Sequence, residues 1–177
     1  MFAVNYYQRK TMYKILLVEP ENSGHTLILH EFLENLSPLL NIKGFRTTTL
    51  EKPGHIKMSL LSQPSVNIEL DLSQQAADIE KQIEPYIEKF ISELSVFQVV
   101  DLFLLDRLGG VEQSVFRLKQ QIITVFSSRI PVIGAVQAHE VKKLNYLLHK
   151  IPIKLIKLED VKESDVSLQL IKELYDL

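Results

Sequence analysis

Three observations predict a three-layer α/β domain with a mostly parallel central sheet. Short apolar runs alternate with longer stretches of helical period along the 177 residues. The runs at 99–106 and 130–136 are apolar almost throughout, which is typical of strands covered on both faces. The runs at 56–61 and 66–72 alternate apolar and polar residues on either side of a turn containing Pro64, which predicts an antiparallel hairpin.

The first half of the chain supplies a buried strand, a helix and the hairpin. Ile15 to Val18 predict the strand, and the apolar period from Leu27 to Leu36 predicts a helix that Pro38 ends. The stripe of that helix is expected to comprise Ile28, Phe32, Leu33 and Leu36. Residues 43–50 are rich in β-forming residues and predict a second strand, and Pro53–Gly54 then predicts a turn.

The second half alternates helices and strands. A helical stripe over 73–94 contains Pro85, which is expected to bend or restart the helix, and the stripe is expected to be core. Its members are Ile79, Ile83, Ile87, Phe90, Ile91 and Leu94. Strands are then predicted at 99–106, 130–136 and 153–158, and helices at 139–149 and 163–175. A further helix between the first two of those strands is marked by Val115, Leu118, Ile122 and Val125.

Composition excludes several function classes. The net charge of −2 and the pI near 6.2 do not favour binding to nucleic acid or to an anionic membrane surface. No apolar run approaches the roughly 18–20 residues that a membrane span needs. The absence of Cys excludes thiolate chemistry and fits a reducing compartment, so a cytoplasmic location is expected. Residues 1–12 are expected to be an N-terminal extension of a single domain over 13–177.

The loop after the first strand carries part of a phosphate-binding pattern. Strand, loop and helix over residues 14–36 are the context in which G-x-x-x-x-G-K-[ST] cradles nucleotide phosphates. Gly24 and Thr26 match the second Gly and the hydroxyl of that pattern. Glu19 stands at the first Gly, and His25 stands at the Lys. The loop therefore has the expected form without its main positive charge.

Because ligands of parallel α/β sheets lie beyond the carboxyl ends of the strands, three stretches are expected on one rim. They are 19–26, 106–112 and 137–139. Gly109–Gly110 in the second stretch lacks G-x-G-x-x-G, and a turn that needs positive φ is the better interpretation. The five His residues are scattered, and the spacing of His25 and His30 does not suit a metal site on one helical face.

In their order and spacing these motifs resemble the small P-loop nucleoside-triphosphatases first described in thermophiles, also called the cancer-related nucleoside-triphosphatase family. The family's Gly-Phe-x-Thr strand corresponds to Gly44-Phe45-Arg46-Thr47. Its Asp-Glu-Ile-Gly-x-Met-Glu segment corresponds to residues 106–112, and its Pro-Val-Ile strand to 131–133. The resemblance covers about residues 13–175 and implies a P-loop NTPase-like domain.

The resemblance also implies roles for individual residues in Mg²⁺-dependent hydrolysis of a nucleoside triphosphate. Arg107 stands where the family has the Glu that polarises the attacking water, and Glu163-Ser164-Asp165 keeps only the Asp of the family's Asn-Arg-Asp element. Asp106 and Arg107 are the candidate catalytic residues, and Thr26 and Asp106 are the candidate Mg²⁺ ligands. The candidates for contact with the nucleotide are Glu19, Ser23, Gly24, His25, Thr26 and Arg46.

Two functions remain open. Glu19 and Glu21 put carboxylates beside the phosphates, and two unit charges at 4 Å repel by roughly 4 kcal/mol at an effective dielectric of 20. This repulsion favours a degenerate protein that binds a nucleotide or anion weakly, or that serves as an interaction module for a protein partner without any cofactor. The alternative is an active nucleoside-triphosphatase in which Arg46 or Arg107 supplies the missing cation. Arg107 could instead pair with Glu19 or Glu21 as a structural ion pair.

Overall fold

The computed structural model describes residues 13–20, 29, 34, 38–160 and 170. Its seven strands are β1 (Lys14–Glu19), β2 (Ile42–Thr49), β3 (His55–Leu60), β4 (Asn67–Asp71), β5 (Leu102–Leu108), β6 (Val132–Gln137) and β7 (Lys154–Lys157). The helices are α1 (Ala76–Glu93), α2 (Val111–Ser114), α3 (Phe116–Ser127) and α4 (Asn145–Leu148). Two 3₁₀ segments, Ala138–Leu144 and Leu158–Asp160, complete these elements.

The strands form one sheet in the order β4-β3-β2-β5-β6-β1-β7. The five strands from β2 to β7 in that order pair in parallel, and β3 and β4 extend the sheet as an antiparallel hairpin. β1, β5 and β6 lie in the middle, so their carboxyl ends meet at one rim of the sheet. This rim is where a doubly covered parallel sheet binds its ligands.

Both faces of the central strands are covered by apolar side chains. Leu16, Phe103 and Val132 belong to the larger core cluster, which also contains the stripe of α1 and the buried residues of α3. Ile15, Leu104 and Ile133 belong to a second cluster with Leu29, Leu158 and Leu170. The alternation of strand residues between two clusters is the physical form of a three-layer α/β fold.

Close contact between β2 and β5 depends on Gly44. Its φ is +138°, and a Cβ built on it would lie 1.8 Å from the carbonyl oxygen of Leu104. The buried carboxylate of Glu93 accepts the N–H of Gly44 at 3.2 Å and that of Ser62 at 3.1 Å. Lys43 Nζ lies 3.8 Å from the same carboxylate. The end of α1 is thereby joined to β2 and to the turn after β3.

Most predicted elements are confirmed within the described residues. The β1 strand, the Pro53–Gly54 turn and the hairpin occur as expected, and both hairpin strands alternate buried and less buried residues. The predicted stripes of α1 and α3 are buried, except that Ile91 is only partly so. Gly109 has a φ of +102°, which confirms the predicted turn.

Three predictions need correction. The strand predicted at 99–106 is Leu102–Leu108, and Val99 is 84% exposed in the loop before it. The helix predicted at 139–149 is a 3₁₀ segment followed by a single α-helical turn. Of the two effects expected of Pro85, a restart does not occur, because α1 is one helix from Ala76 to Glu93, and a bend stays a prediction. Pro85 and Lys81 are exposed, so water can bind the Lys81 carbonyl that loses its helical N–H.

Several predictions lie outside the described residues. Leu29 is helical and buried and Glu34 is helical and exposed, but the predicted stripe of Ile28, Phe32, Leu33 and Leu36 is not among the described residues. The same is true of the extension at 1–12 and of all but Leu170 in the predicted helix at 163–175. No helix in the part of the chain that the structure describes is long and apolar enough to cross a membrane.

Candidate functional site

Three charged residues lie on the same face of the sheet at its rim. Along β1 the odd-numbered residues Ile15 and Leu17 face the cluster of Leu29, so alternation places Glu19 on that face. The even-numbered residues of β5 face it too, which places Asp106 there. Arg46 of β2 lies beside Asp106 in register, and Ile42 packs against the same cluster. We call these three residues, Glu19, Arg46 and Asp106, together with Arg107, which follows Asp106 on β5, the rim cluster.

Asp106 and Arg46 form a partly desolvated ion pair. Arg46 Nε lies 3.9 Å from Asp106 Oδ2, and the Asp106 side chain is only 2% exposed. Neither of these two buried atoms has a hydrogen-bond partner among the residues described. Burial raises the pKa of Asp106 to about 6, and the charges of Arg46 and Arg107 limit the rise. Asp106 is therefore still mostly ionised at pH 7.

Glu19 is a buried carboxyl group that is near its titration midpoint at neutral pH. It is 3% exposed, and its Oε1 has no hydrogen-bond partner among the described residues. Burial and the nearby Asp106 carboxylate raise the pKa of Glu19 to about 7, while Arg107 opposes the rise. The two carboxyl groups are thus coupled, and their combined charge changes between about pH 5 and about pH 8.

Arg107 is held toward the neighbouring strand. Its Nη2 donates a hydrogen bond to Thr49 Oγ1 at 2.8 Å. The pairing between β5 and β6 shifts register between Asp106 and Leu108, so Arg107 lies at an irregular position of the strand end. The positive charge of Arg107 still lowers the pKa of both Glu19 and Asp106. Glu21, which the sequence left open as a partner of Arg107, lies outside the described residues. The ion-pair partner of Asp106 is Arg46.

A magnesium ion does not fit beside Asp106 as the described residues stand. Mg²⁺ binds carboxylate oxygens at about 2.0–2.1 Å, so an ion on Asp106 would lie a few ångströms from the Arg46 guanidinium. A doubly charged ion and a guanidinium about 5 Å apart repel by roughly 7 kcal/mol at an effective dielectric of 20. Within residues 13–20 and 38–160, no group of three or more His, Asp or Glu side chains is arranged to hold a metal ion.

The short helix α2 that follows β5 contains a further buried carboxylate, to which the sequence assigned no role. Glu112 is 2% exposed, and its Oε1 accepts the N–H of Gly109 at 2.5 Å. Burial raises the pKa of Glu112, and the charge of Glu140 raises it further. A Cβ on Gly109 would lie 2.8 Å from Glu140 Cβ, so Glu112 and Gly109 fix the turn against the segment after β6. The pairing of a Gly needing positive φ with an acid three residues later was a signal visible in the sequence.

The structure brings together only part of the predicted site. Glu19, Arg46, Asp106 and Arg107 meet at the rim, and Glu19 pairs in register with Gln137 at the end of β6. Thr49 was missed, although its position at the end of the Gly-Phe-x-Thr strand could have indicated it. Ser23, Gly24, His25 and Thr26 lie outside the described residues, so their predicted contacts with phosphate and Mg²⁺ stay predictions.

Comparison with known proteins supports the fold. No family model matches the chain, and no curated relative matches it. Among solved structures, the chain is similar to the crystal structure of THEP1 from the hyperthermophile Aquifex aeolicus. The TM-score is 0.56 at 13% sequence identity, and the match covers 86% of this chain and 96% of that one. At this identity the likeness shows the fold alone, which is a three-layer α/β fold shared with THEP1.

Proposed function

We propose that this chain is a degenerate P-loop nucleoside-triphosphatase-like protein that binds nucleotides or other phosphate-bearing anions weakly and hydrolyses them poorly. The observation that carries the proposal is the rim cluster, in which two arginines stand among the residues that would bind and activate a nucleotide. Arg46 pairs with the acid that would hold the metal ion, and Arg107 stands in place of the acid that would polarise water.

The charge of the rim supports binding of an anion. The two positive charges of the Arg46 and Arg107 guanidinium groups exceed the negative charge of the carboxyl groups, because Asp106 is mostly ionised at pH 7 and Glu19, with a pKa of about 7, is only partly ionised. Arginine binds phosphate oxygens with charge-assisted hydrogen bonds. The loss of a Lys to His25 forfeits about 1.5–3 kcal/mol, the usual contribution of a hydrogen bond to a charged group. Binding about ten- to a hundredfold weaker than that of an intact phosphate loop is the expected consequence.

The same substitutions argue against efficient turnover. A positioned general base typically contributes 10²–10⁴-fold to a rate, and a guanidinium cannot accept the proton of the attacking water. Arg107 is also occupied by its hydrogen bond to Thr49. Binding without efficient hydrolysis is therefore the function that these residues favour.

Glu19 favours a second candidate, an active nucleoside-triphosphatase with a relocated base. A buried carboxyl group with a pKa of about 7 has the proton affinity that a general base needs at neutral pH. Glu19 ends β1, directly before the segment that matches the phosphate loop. In this candidate, Glu19 would take over the work of the acid that Arg107 replaces.

Titration calorimetry and a phosphate-release assay with ATP and GTP distinguish the candidates. The proposal expects heat of binding together with phosphate release no faster than that of Asp106→Asn. Turnover that both Asp106→Asn and Glu19→Gln abolish would instead establish the second candidate. If neither nucleotide binds at millimolar concentration, both candidates fail, and a role as an interaction module gains support. The double substitution His25→Lys with Arg107→Glu should raise hydrolysis if those two positions limit it.

A further inference from the structure

The rim cluster combines a buried guanidinium N–H and two buried carboxylate oxygens that have no hydrogen-bond partners among the described residues. They are Arg46 Nε, Asp106 Oδ2 and Glu19 Oε1. Buried polar atoms in folded proteins nearly always have a hydrogen-bond partner. The guanidinium N–H therefore needs an acceptor and the two carboxylate oxygens need donors, from a ligand or from residues outside the described part of the chain. An N–H with no acceptor calls for an oxygen atom, and phosphate oxygens suit guanidinium better than any other common biological acceptor.

From this arrangement we propose that the site takes a metal-free di- or triphosphate group, and that the Arg46 guanidinium occupies the electrostatic role of Mg²⁺. The inference rests on the proposed function and specifies the form of its ligand. Arg46 lies beside Asp106 in register on the neighbouring strand, so the cation is supplied by the fold itself. A magnesium ion at Asp106 would have to displace Arg46 or bear its repulsion.

The charges of the rim agree with a metal-free ligand. A polyphosphate without its metal ion carries more negative charge than its Mg²⁺ complex, and Arg46 and Arg107 offer two positive charges to it. The opposing charge is that of Asp106 and of Glu19, whose pKa near 7 lets it accept a proton when an anion approaches. Binding of the polyphosphate therefore needs no divalent ion to make the net charge of the rim cluster positive.

Calorimetric titration of the full chain with ATP and with inorganic pyrophosphate, in EDTA and in excess MgCl₂, tests the proposal. Binding in EDTA should be at least as tight as in MgCl₂. Binding that appears only in MgCl₂ would overturn the inference and leave the proposed function intact. The absence of binding in both buffers would overturn the proposed function as well, so the two failures are distinguishable.

Variants of the ion pair give a second, independent readout. Asp106→Asn removes a negative charge beside the ligand and should tighten binding about tenfold in EDTA and in MgCl₂ alike, whereas loss of a metal ligand would weaken binding in MgCl₂. Arg46→Gln should weaken binding at least about tenfold. The matched control is Arg129→Gln, because Arg129 is exposed in the loop before the amino end of β6, away from the rim. The Arg129→Gln variant should bind pyrophosphate as tightly as wild type does.

Loss of one partner of a buried ion pair can unfold a protein. The double variant Arg46→Gln with Asp106→Asn removes both charges together and keeps similar side-chain volumes. With circular dichroism like that of wild type, it should bind pyrophosphate at least about tenfold more weakly than Asp106→Asn alone. If the folded double variant binds as tightly as Asp106→Asn, Arg46 does not hold the ligand and the inference is wrong.

Discussion

Replacing Glu19 with Gln should stabilise the folded chain at alkaline pH and change its stability little in acid. The side chain is 3% exposed, and burial with the nearby Asp106 raises its pKa from 4.5 to about 7. A raised pKa means that the folded state binds the proton more tightly than the unfolded state does. The stabilisation linked to that proton is present in full below pH 4.5 and is lost as the pH rises through 7.

The size of the effect follows from the shift. Each pKa unit corresponds to about 1.4 kcal/mol, so a rise from 4.5 to about 7 makes the ionised carboxylate cost about 3 kcal/mol above pH 8. Gln has nearly the same shape and no charge to bury. The variant should therefore exceed wild type in free energy of unfolding by about 3 kcal/mol at pH 8, and by less than about 1 kcal/mol at pH 5.

Urea denaturation at pH 5, 6, 7 and 8 measures this difference. Glu69→Gln is a matched control, because Glu69 is an exposed carboxylate on β4, and it should shift the free energy of unfolding by at most about 0.5 kcal/mol at every pH. A difference between Glu19→Gln and wild type that does not grow with pH would show that the Glu19 carboxylate is well solvated or paired. That result would refute the burial of an unpaired Glu19 carboxylate at the rim.

Three further predictions concern the packing and charge of the sheet. Gly44→Ala should lower the free energy of unfolding measured in urea by about 3–5 kcal/mol, because the new Cβ would meet the Leu104 carbonyl at a residue with positive φ. Gly134→Ala should lower it by only about 1–2 kcal/mol, because the Cβ there would meet only side chains, at 3.0 Å or more. Glu93→Gln should cost about 2–3 kcal/mol by weakening its bonds to Gly44 and Ser62, and an unchanged midpoint would contradict that role. The ratio of the pyrophosphate affinity of wild type to that of Glu19→Gln should be roughly tenfold higher at pH 6 than at pH 8. A ratio that does not change with pH would exclude Glu19 from the site.

The helices and strands could be located from the sequence where burial imposes a hydrophobic period. The stripe of α1 and the alternation of the hairpin are direct consequences of which side chains face the core. The start of β5 could not be located, because Val99 and Val100 have strong β propensity although they precede the strand. Asp101 accepts the N–H of Asn41 at 2.8 Å through its side chain, and this tertiary contact fixes the loop outside the sheet.

The candidate site was predictable as a set of residues but not as an arrangement. Strand ends and loop motifs were enough to place Glu19 and Asp106 at one rim. The ion pair between Arg46 and Asp106 depends on β2 lying next to β5, which no local pattern specifies. The pKa of Glu19 depends on how fully the fold removes it from water, and this too is a property of packing rather than of sequence spacing.

The electrostatic case against anion binding changes once the charges are placed. Two fully ionised carboxylates beside a phosphate repel it strongly, but Asp106 is paired with Arg46, and Glu19 is only about half ionised at pH 7. In the proposed function, Arg107 adds a positive charge at the position where the resembling family has the acid that activates water. One substitution therefore favours a bound anion and disfavours its hydrolysis at the same time. In the proposed function, slow turnover and retained binding both follow from this side chain, so measured affinity and measured rate should separate.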